Sequence, residues 1–462
     1  MVQVSMNFNS SVYANAVTPI SMSFGVSEQA ARVGQMIFLV AYAFGSELWA
    51  PWSEEYGRWP VLQLSLFLVN IWQIPAALAK NFGTIIVARF LGGISSAGGS
   101  VTLGLIADMW EPDDQQYAVA FVVLSSVGGS VVGPIVGGFI EAYLPWYWNF
   151  WVQLIFGGAV QLIHFVFVPE TRVTVLLNRE AKRRRQAGQT NIYGPDELEP
   201  QRLSVKTVLT TWSRPFVMFL KEPIVLWLSL LSGFSDALIF TFLASFTPVY
   251  KQWGFGTVQI GLAFIPILIG YFIAYASFFP FIHRHRQIRR KHPDALQPEA
   301  RLYWLLFTAP LETIGLFGFA WTCIGPPAVP WIAPMIFSML IAIANYCIYM
   351  ATIDYMIASY GPYSASATGG NALARDFLAG IAAMYSSPFY SNIKPDSLEW
   401  PSTILAVVAL LVTIPIYVFY WKGPVIRERS TFAQTLASDR KARGAPAMAS
   451  DKDRHALNSE KA

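Results

Sequence analysis

The feature that most constrains this chain is the recurrence of long apolar runs. Twelve of them, at about 4–24, 33–52, 61–79, 83–106, 116–140, 149–168, 223–247, 258–282, 303–323, 331–353, 364–390 and 401–421, are about 19 to 27 residues long, enough for an α-helix to cross a hydrocarbon layer of ~30 Å. Hydrophobic residues make up 54% of the chain and charged residues 13%, about half the ~25% charge of a soluble domain. A string of soluble domains is excluded, and an all-α polytopic membrane protein is predicted. The two cysteines, Cys323 and Cys347, lie in apolar runs, so neither a disulfide framework nor a cysteine-based zinc site is available. No G-x-x-x-x-G-K-[ST] and no H-E-x-x-H occurs, and no extramembrane region is large enough for a catalytic domain. An ATP-driven pump and an enzyme are therefore not expected, nor a metal, an organic cofactor or a nucleic acid partner.

The basic residues fall on alternate loops. Twenty-six of the 32 Lys and Arg lie on one side: ten between the sixth and seventh runs, six between the eighth and ninth, nine in the C-terminal tail, and Arg58 between the second and third. The opposite loops carry Arg32, Lys80, Lys251 and Lys394, while Arg89 and Arg375 fall inside runs. The positive-inside rule then places the tail and the long middle segment in the cytosol. The organisation predicted is a six-helix half over 1–168, a cytosolic central loop over 169–222, a second six-helix half over 223–421, and a disordered cytosolic tail over 422–462. The basic run 179–185 reads as a solvated topology signal or as a segment lying on the anionic inner leaflet. The first apolar run is unusual, with Asn7, Asn9, Asn15 and several serines. Either it faces a polar interior or the chain begins part-way into that helix.

Three motifs bear on mechanism. Between the second and third runs the chain reads Pro51-Trp-Ser-Glu54-Glu-Tyr-Gly57-Arg58-Trp-Pro60. A short turn with an acid, a glycine and a base clips neighbouring helix ends in one conformation and releases them in another, or is simply a turn held by Gly and Pro. In the fourth run, Arg89 lies about one turn into the apolar stretch, where a guanidinium is costly and faces a protein interior or watery cavity unless it snorkels to a helix end. An arginine does not itself release a proton; it keeps a neighbouring carboxylate ionised or fixes a polar network. In the fifth run stands Gly129-Ser-Val-Val-Gly133-Pro134-Ile-Val-Gly137-Gly138. Glycines four apart let helices approach closely, and Pro134 removes a backbone donor and bends the helix. Small-residue packing accounts for the glycines, less easily for Gly-Pro-x-x-Gly-Gly in the fifth of twelve runs.

These three motifs resemble signatures of the major facilitator superfamily. The first is its loop 2–3 signature in the proline-serine-glutamate form, matched at Glu54, Gly57 and Arg58, with Trp59 where a second basic residue is usual. The second is the helix 4 signature, whose arginine is linked to proton transfer in proton-driven exporters. The third is the antiporter signature of the drug:proton antiporter families. Further stretches are Trp148-Asn-Phe-Trp-Val-Gln153, Pro169-Glu-Thr-Arg172, Glu299-Ala-Arg-Leu302, Phe319-Ala-Trp-Thr322, and Asp354-Tyr355 followed by Ser364-Ala-Ser-Ala367. With them the chain is similar, over about 7–421, to the fungal branch of the twelve-span drug:proton antiporters. That resemblance implies a major facilitator fold: twelve transmembrane helices in two pseudo-symmetric six-helix bundles, alternating access about a midplane site between them, and a proton gradient as energy source. A monomer in the plasma membrane is expected, with the vacuolar membrane as the alternative.

Intramembrane acids are candidates for proton coupling. The first run has none. Asp236 lies mid-way along the seventh, Glu312 mid-way along the ninth and Glu47 in the second; with Arg89 these form the coupling set, each acid being otherwise a hydrogen-bonded structural carboxylate. His164 is a further titratable side chain, although a lone histidine on an apolar face is more often a packing residue. Glu54, Gly57 and Arg58, with Asp108 at the end of the fourth run, form the expected inner gate. Asn371 and Arg375, four apart on one helix face, line a cavity or hold that helix to its neighbours. Phe240, Phe242 and Tyr346 are candidates for an apolar substrate pocket. The predicted function is proton-driven efflux of a small apolar or amphipathic organic compound such as a drug, toxin or secondary metabolite. Its rivals are a proton-coupled nutrient importer on the same fold and a transport-inactive scaffold.

Overall fold

The computed structural model describes residues 1–110, 114–189, 191–198, 205–291, 297–393, 398–430 and 432–433. Twelve helical rods follow the apolar runs. They are α1 (Val2–Ser11, continued through a 3-10 turn Val12–Ala16 into Val17–Phe24), α2 (Glu28–Glu55), α3 (Arg58–Ala77) and α4 (Phe82–Ser96, a 3-10 turn Ala97–Ser100, then Val101–Met109). Next come α5 (Gln115–Tyr143), α6 (Trp148–Phe167), α7 (Pro223–Lys251) and α8 (Thr257–Leu262 and Ile265–Lys291). The last four are α9 (Pro298–Leu302, Leu305–Thr308 and Pro310–Thr322), α10 (Ile332–Tyr360), α11 (Ser364–Asn392) and α12 (Glu399–Glu428). Among the described residues, 10 helices are long and apolar enough to cross a membrane by length and composition. The two rods that fall short are α1, which carries Gln3, Asn7, Asn9, Asn15 and several serines, and α11, which carries Asn371, Arg375 and Asp376.

Both are kept in the bundle by packing and hydrogen bonds. The side-chain amides of Gln3, Asn7 and Asn15 on α1 point inward and are bonded. Gln3 donates to the Gly99 carbonyl and to Thr102 Oγ1, both at 2.8 Å; Asn7 donates to Ser126 Oγ at 3.2 Å; Asn15 donates to Glu141 at 3.0 Å. The first helix therefore faces a polar interior, as one of its two readings held. Lipid-facing stripes lie on the opposite faces of peripheral rods. Leu64, Phe67, Ile71 and Ile74 on α3, and Val407, Leu410, Leu411, Ile414 and Val418 on α12, are exposed at helical spacing, which is how a helix turns an apolar stripe outward in a membrane.

Three helices run past their expected ends because charges thought to lie in loops are tied down. Helix α8 continues to Lys291, α10 to Tyr360 and α12 to Glu428. Arg286 of α8 pairs with Asp114 at 2.9 Å, Arg301 pairs with Asp354 of α10, and Arg427 of α12 reaches Glu299 at 2.9 Å. The tail boundary expected at 422 moves accordingly, and residues 434–462 lie outside those described.

Helices α1–α6 and α7–α12 form the two halves. In the first, α2 runs along α4, α1 along α5, and α3 along α4 and α6; in the second, α7 runs along α11, and α9 along α10 and α12. The halves meet where α2 crosses α11 and where α5 crosses α8. The glycine motif of α5 serves both kinds of contact. A Cβ on Gly129 would stand 2.6 Å from the Val4 carbonyl oxygen of α1, and Gly133 and Gly137 face Ser11 and Asn15 on the same helix. Gly138 faces the other half: its Cβ would stand 2.9 Å from the Thr257 carbonyl oxygen of α8, while one on Gly261 would lie 2.8 Å from the Pro134 carbonyl oxygen.

The central loop contains helices Val173–Gln186, Pro195–Leu198 and Val205–Lys221, with residues 190 and 199–204 outside those described. Basic side chains of the 179–185 run are partly neutralised locally: Arg183 and Arg184 pair with Glu180 at 3.0 and 2.8 Å, and they hold its carboxyl below the usual range. The third loop helix lies across the α2–α11 crossing, where Phe216 stacks on Phe44 at 6.0 Å and Arg214 sits over the Tyr363 ring at 5.3 Å.

Candidate functional site

The end of the bundle bearing Arg58, Arg172, residues 284–291 and Arg427 is called the basic end. Between the halves, a layer of apolar side chains closes the middle: Phe38, Leu39 and Tyr42 of α2, Ala97 of α4, Ala237 and Phe240 of α7, Ala379 and Ala382 of α11. On the far side of it lies a vestibule of about 420 Å³ reached by Asn15, Glu141, Thr247 and Lys251. On the basic side a second one, of about 280 Å³, is lined by Glu47, Glu54, Arg58, Asp108 and Thr368.

Beside the apolar layer stands the charged group formed by α7 and α11. Arg375 Nε lies 3.8 Å from Asp236 Oδ2, and its Nη2 lies 3.4 Å from Asp376 Oδ1. Its guanidinium covers the Tyr349 ring of α10 at 4.2 Å. From the other half, Tyr42 lies within electrostatic reach of all of these side chains. One cation thus serves two carboxylates where the two halves meet. Asp376 and the two tyrosines were not anticipated; Asp376, adjacent to Arg375 in an otherwise apolar run, was visible in the sequence.

Glu312 belongs to a different network, enclosed within the second half. Tyr271 Oη donates to Asn345 Oδ1 at 3.0 Å, Asn345 Nδ2 donates to Ser235 Oγ at 3.1 Å, and Ser235 Oγ donates to Glu312 Oε1. The other oxygen of Glu312 is buried without a partner among the described residues. Ser235 and Asp236, adjacent on α7, turn to different networks. Glu47 is buried on the basic-side vestibule next to Gly369 of α11 and has no ion pair among the described residues.

Arg89 is buried at 2% exposure and is not a snorkelling side chain. Its Nε donates to the Gly34 carbonyl at 3.1 Å, and Nη1 donates to the carbonyl and the Oδ1 of Asn9, both at 3.0 Å. The guanidinium lies over the rings of Phe38 at 4.0 Å and Tyr13 at 4.7 Å. No carboxylate lies within ion-pair distance among the described residues, so of its two expected roles the geometry supplies the polar network. His164 is a packing residue whose Nδ1 meets Gln63 Nε2 at 2.6 Å.

Two aromatic pocket candidates are placed elsewhere than expected, and Asn371 takes the second of its two expected roles. Phe242 points into the core of its own half, with its ring 5.0 Å from Phe319 and 5.2 Å from Phe246. Tyr346 is fully buried in the seam between halves and donates to the Ala120 carbonyl at 2.8 Å. Asn371 accepts from Ser232 at 3.4 Å and holds α11 to α7. Phe240 alone of the three aromatic candidates reaches the central layer.

At the basic end, Arg58 Nε meets Asp108 Oδ2 at 2.8 Å, its Nη1 donates to Ser53 Oγ at 2.6 Å, and Arg172 binds the other Asp108 oxygen at 3.1 Å. Glu170 accepts the N–H groups of Arg58 and Trp59 at 3.0 and 3.2 Å, satisfying orphan donors at the start of α3. Gly57, at φ 105°, is needed there twice over: the conformation is left-handed, and the Glu170 carboxyl carbon lies 2.9 Å from where a Cβ would stand. Glu54 is exposed and takes no part in this clasp. The second half repeats the arrangement with Arg301 and Asp354, and with Glu299 held by Arg427 and Tyr355. Gln116 of α5 donates to Asp354 and accepts from Arg289 of α8, tying Asp354 across to the first half. Internal symmetry was the signal that could have found these residues, since Arg58 and Arg301 each open the third helix of their half.

A family model described as Major Facilitator Superfamily matches residues 1–384. The MFS-type transporter kojT of Aspergillus flavus is 32% identical over 430 residues, covering 91% of this chain and 75% of that protein. The efflux pump atB of Aspergillus terreus is 34% identical over 394 residues, covering 83% and 81%. The ascochitine biosynthesis cluster MFS transporter of Didymella fabae is 30% identical over 442 residues, covering 93% and 83%. Among solved structures, the partially occluded inward-open xylose transporter XylE from E. coli superposes with a TM-score of 0.60 at 17% identity, covering 91% of this chain and 96% of that one. The human organic anion transporter MFSD10 gives 0.53 at 18% identity, covering 90% and 97%. At these identities the two solved structures show the fold alone.

Proposed function

The chain belongs to the major facilitator superfamily and is a membrane transporter, and we propose that it is a proton-coupled exporter of small apolar or amphipathic organic compounds, secondary metabolites among them. The observation that carries this reading is the Asp236–Arg375–Asp376 group at the seam beside the central apolar layer. Two carboxylates around one cation carry net negative charge. A proton taken by Asp236 removes half of what holds Arg375 and loosens α7 from α11 on the face that meets α2. Glu312 and Glu47 are further coupling candidates, and Arg89 acts as a fixed strut. The cargo is read from the layer itself, where Phe38, Phe240 and alanines offer apolar contact and few charges. The outward direction is supported by the α5 Gly-Pro motif and by the relatives' names, an efflux pump and a biosynthesis-cluster transporter. The basic loops face the cytosol in this reading, the membrane is the plasma membrane, and the Arg58–Asp108–Arg172 clasp with Gly57 closes the inner gate.

The test is flux of a lipophilic fluorescent compound in reconstituted vesicles under an imposed pH gradient. Flux opposite to the proton gradient is expected, falling roughly tenfold, about 1.4 kcal/mol of coupling, in Asp236→Asn. Flux indifferent to the gradient would overturn the exchange, and co-directional flux would make the protein an importer.

A further inference from the structure

A groove of about 650 Å³, larger than either vestibule, lies away from the inter-half space, between the basic ends of α8, α9 and α12. Aromatic side chains form its walls, Phe281 from α8, Tyr303 from α9, and Tyr420 and Trp421 from α12; Arg284 and His285 stand at its rim.

Its free charge is positive. Arg284 is exposed and has no ion pair among the described residues, whereas Arg286, on the same turn, is taken by Asp114 at 2.9 Å. Among the described residues Glu299 is the one acid lining the groove, and Arg427 occupies both of its oxygens at 2.9 Å. The groove also leads onto apolar tracks. On α9, Tyr303 is followed by Phe307 and Ile314, which are 57% and 54% exposed; on α12, Trp421 at 71% exposure is preceded by Val418, Ile414 and Leu411. Rings with a polar edge settle at the depth of lipid headgroups, and exposed aliphatic stripes below them face acyl chains. A soluble anion has no use for such tracks, whereas a lipid needs both parts.

We propose that this groove is a binding site for an anionic phospholipid, its phosphate held by Arg284 and His285 and its acyl chains lying along α9 and α12. Basic pockets between transmembrane helices bind anionic headgroups by this division of labour. The bound lipid braces α8 against α9 and α12. Its floor includes Glu299, two residues before the Arg301 that holds Asp354, so occupancy steadies the basic-end clasp of the second half.

The experiment uses the full chain in nanodiscs of phosphatidylcholine with or without phosphatidylserine, read by native mass spectrometry and by melting temperature. Phosphatidylserine is expected to be retained and to raise the melting temperature. Arg284→Glu and Arg284→Gln are expected to weaken retention roughly tenfold, about 1.4 kcal/mol. Arg290→Glu, an exposed cation near the same helix end but outside the groove, leaves it unchanged. Retention unaltered in both Arg284 variants overturns the site, and equal loss in Arg290→Glu reduces it to a general surface charge. Glycerophosphoserine, which has the headgroup without chains, is expected not to compete; full competition by it would make this a soluble-anion site.

Discussion

Among the described residues, each half buries one arginine well inside a helix, away from its ends, Arg89 and Arg375, and the two surroundings are opposites. Arg89 rests on carbonyl oxygens of Gly34 and Asn9 and between two rings. Arg375 rests on one ring and two carboxylates. Both arrangements meet the requirement that a buried cation be compensated. They differ in what a proton does to them. Carbonyl dipoles and π faces do not titrate, so nothing around Arg89 is removed by protonation. Carboxylates do titrate, so Arg375 keeps its setting only while its partners stay ionised. One half holds a permanent strut and the other a conditional one.

The contrast is open to measurement. The largest effect is expected from Arg375→Ala, which leaves Asp236 and Asp376 facing each other without a cation. Thermal or denaturant unfolding in micelles should show a loss of about 3–5 kcal/mol, as when one partner of a buried ion pair is removed. Adding Asp236→Asn and Asp376→Asn should recover much of that loss, because the orphaned charges go with it. Arg89→Ala should cost less, about 1–3 kcal/mol for acceptors left unpaired, and Asp236→Asn should add to it independently rather than compensate. Equal recovery in both backgrounds would erase the distinction drawn here. The smallest effects belong to the rings. Phe38→Leu and Tyr349→Leu each remove one cation–π contact and should cost about 0.5–2 kcal/mol in the same assay.

Much of the fold was legible because lipid demands it. A span must be long, apolar and internally hydrogen-bonded, so run length alone located the rods. Helix ends were less legible: a charge near the end of an apolar run reads as a loop residue, and only the partner on a neighbouring element shows that Arg286, Asp354 or Arg427 continues a helix. The site was partly legible. That Asp236 and Arg375 are ionisable inside runs is plain from sequence; that they meet depends on α7 lying along α11, which no local pattern states. Phe240 and Phe242 are separable in principle. Two positions along a helix turn by about 200°, so they cannot face the same space, and the structure turns one to the centre and the other inward. Glu54 lines the vestibule without joining the clasp because Ser53, one position earlier on the helix, is the side chain that faces Arg58.

One consequence follows from how the halves touch. At the α5–α8 crossing Gly138 meets Gly261, and the nearest neighbours of a Cβ on either would be main-chain atoms; at the α2–α11 crossing a Cβ on Gly380 would stand 3.1 Å from the Val40 side chain. Ordinary helices interlock as ridges in grooves, so turning one against the other means lifting teeth out of notches. Where Gly138 meets Gly261 the bare main chain presents no teeth, so that point of the crossing forms a smooth journal about which the two lobes can roll.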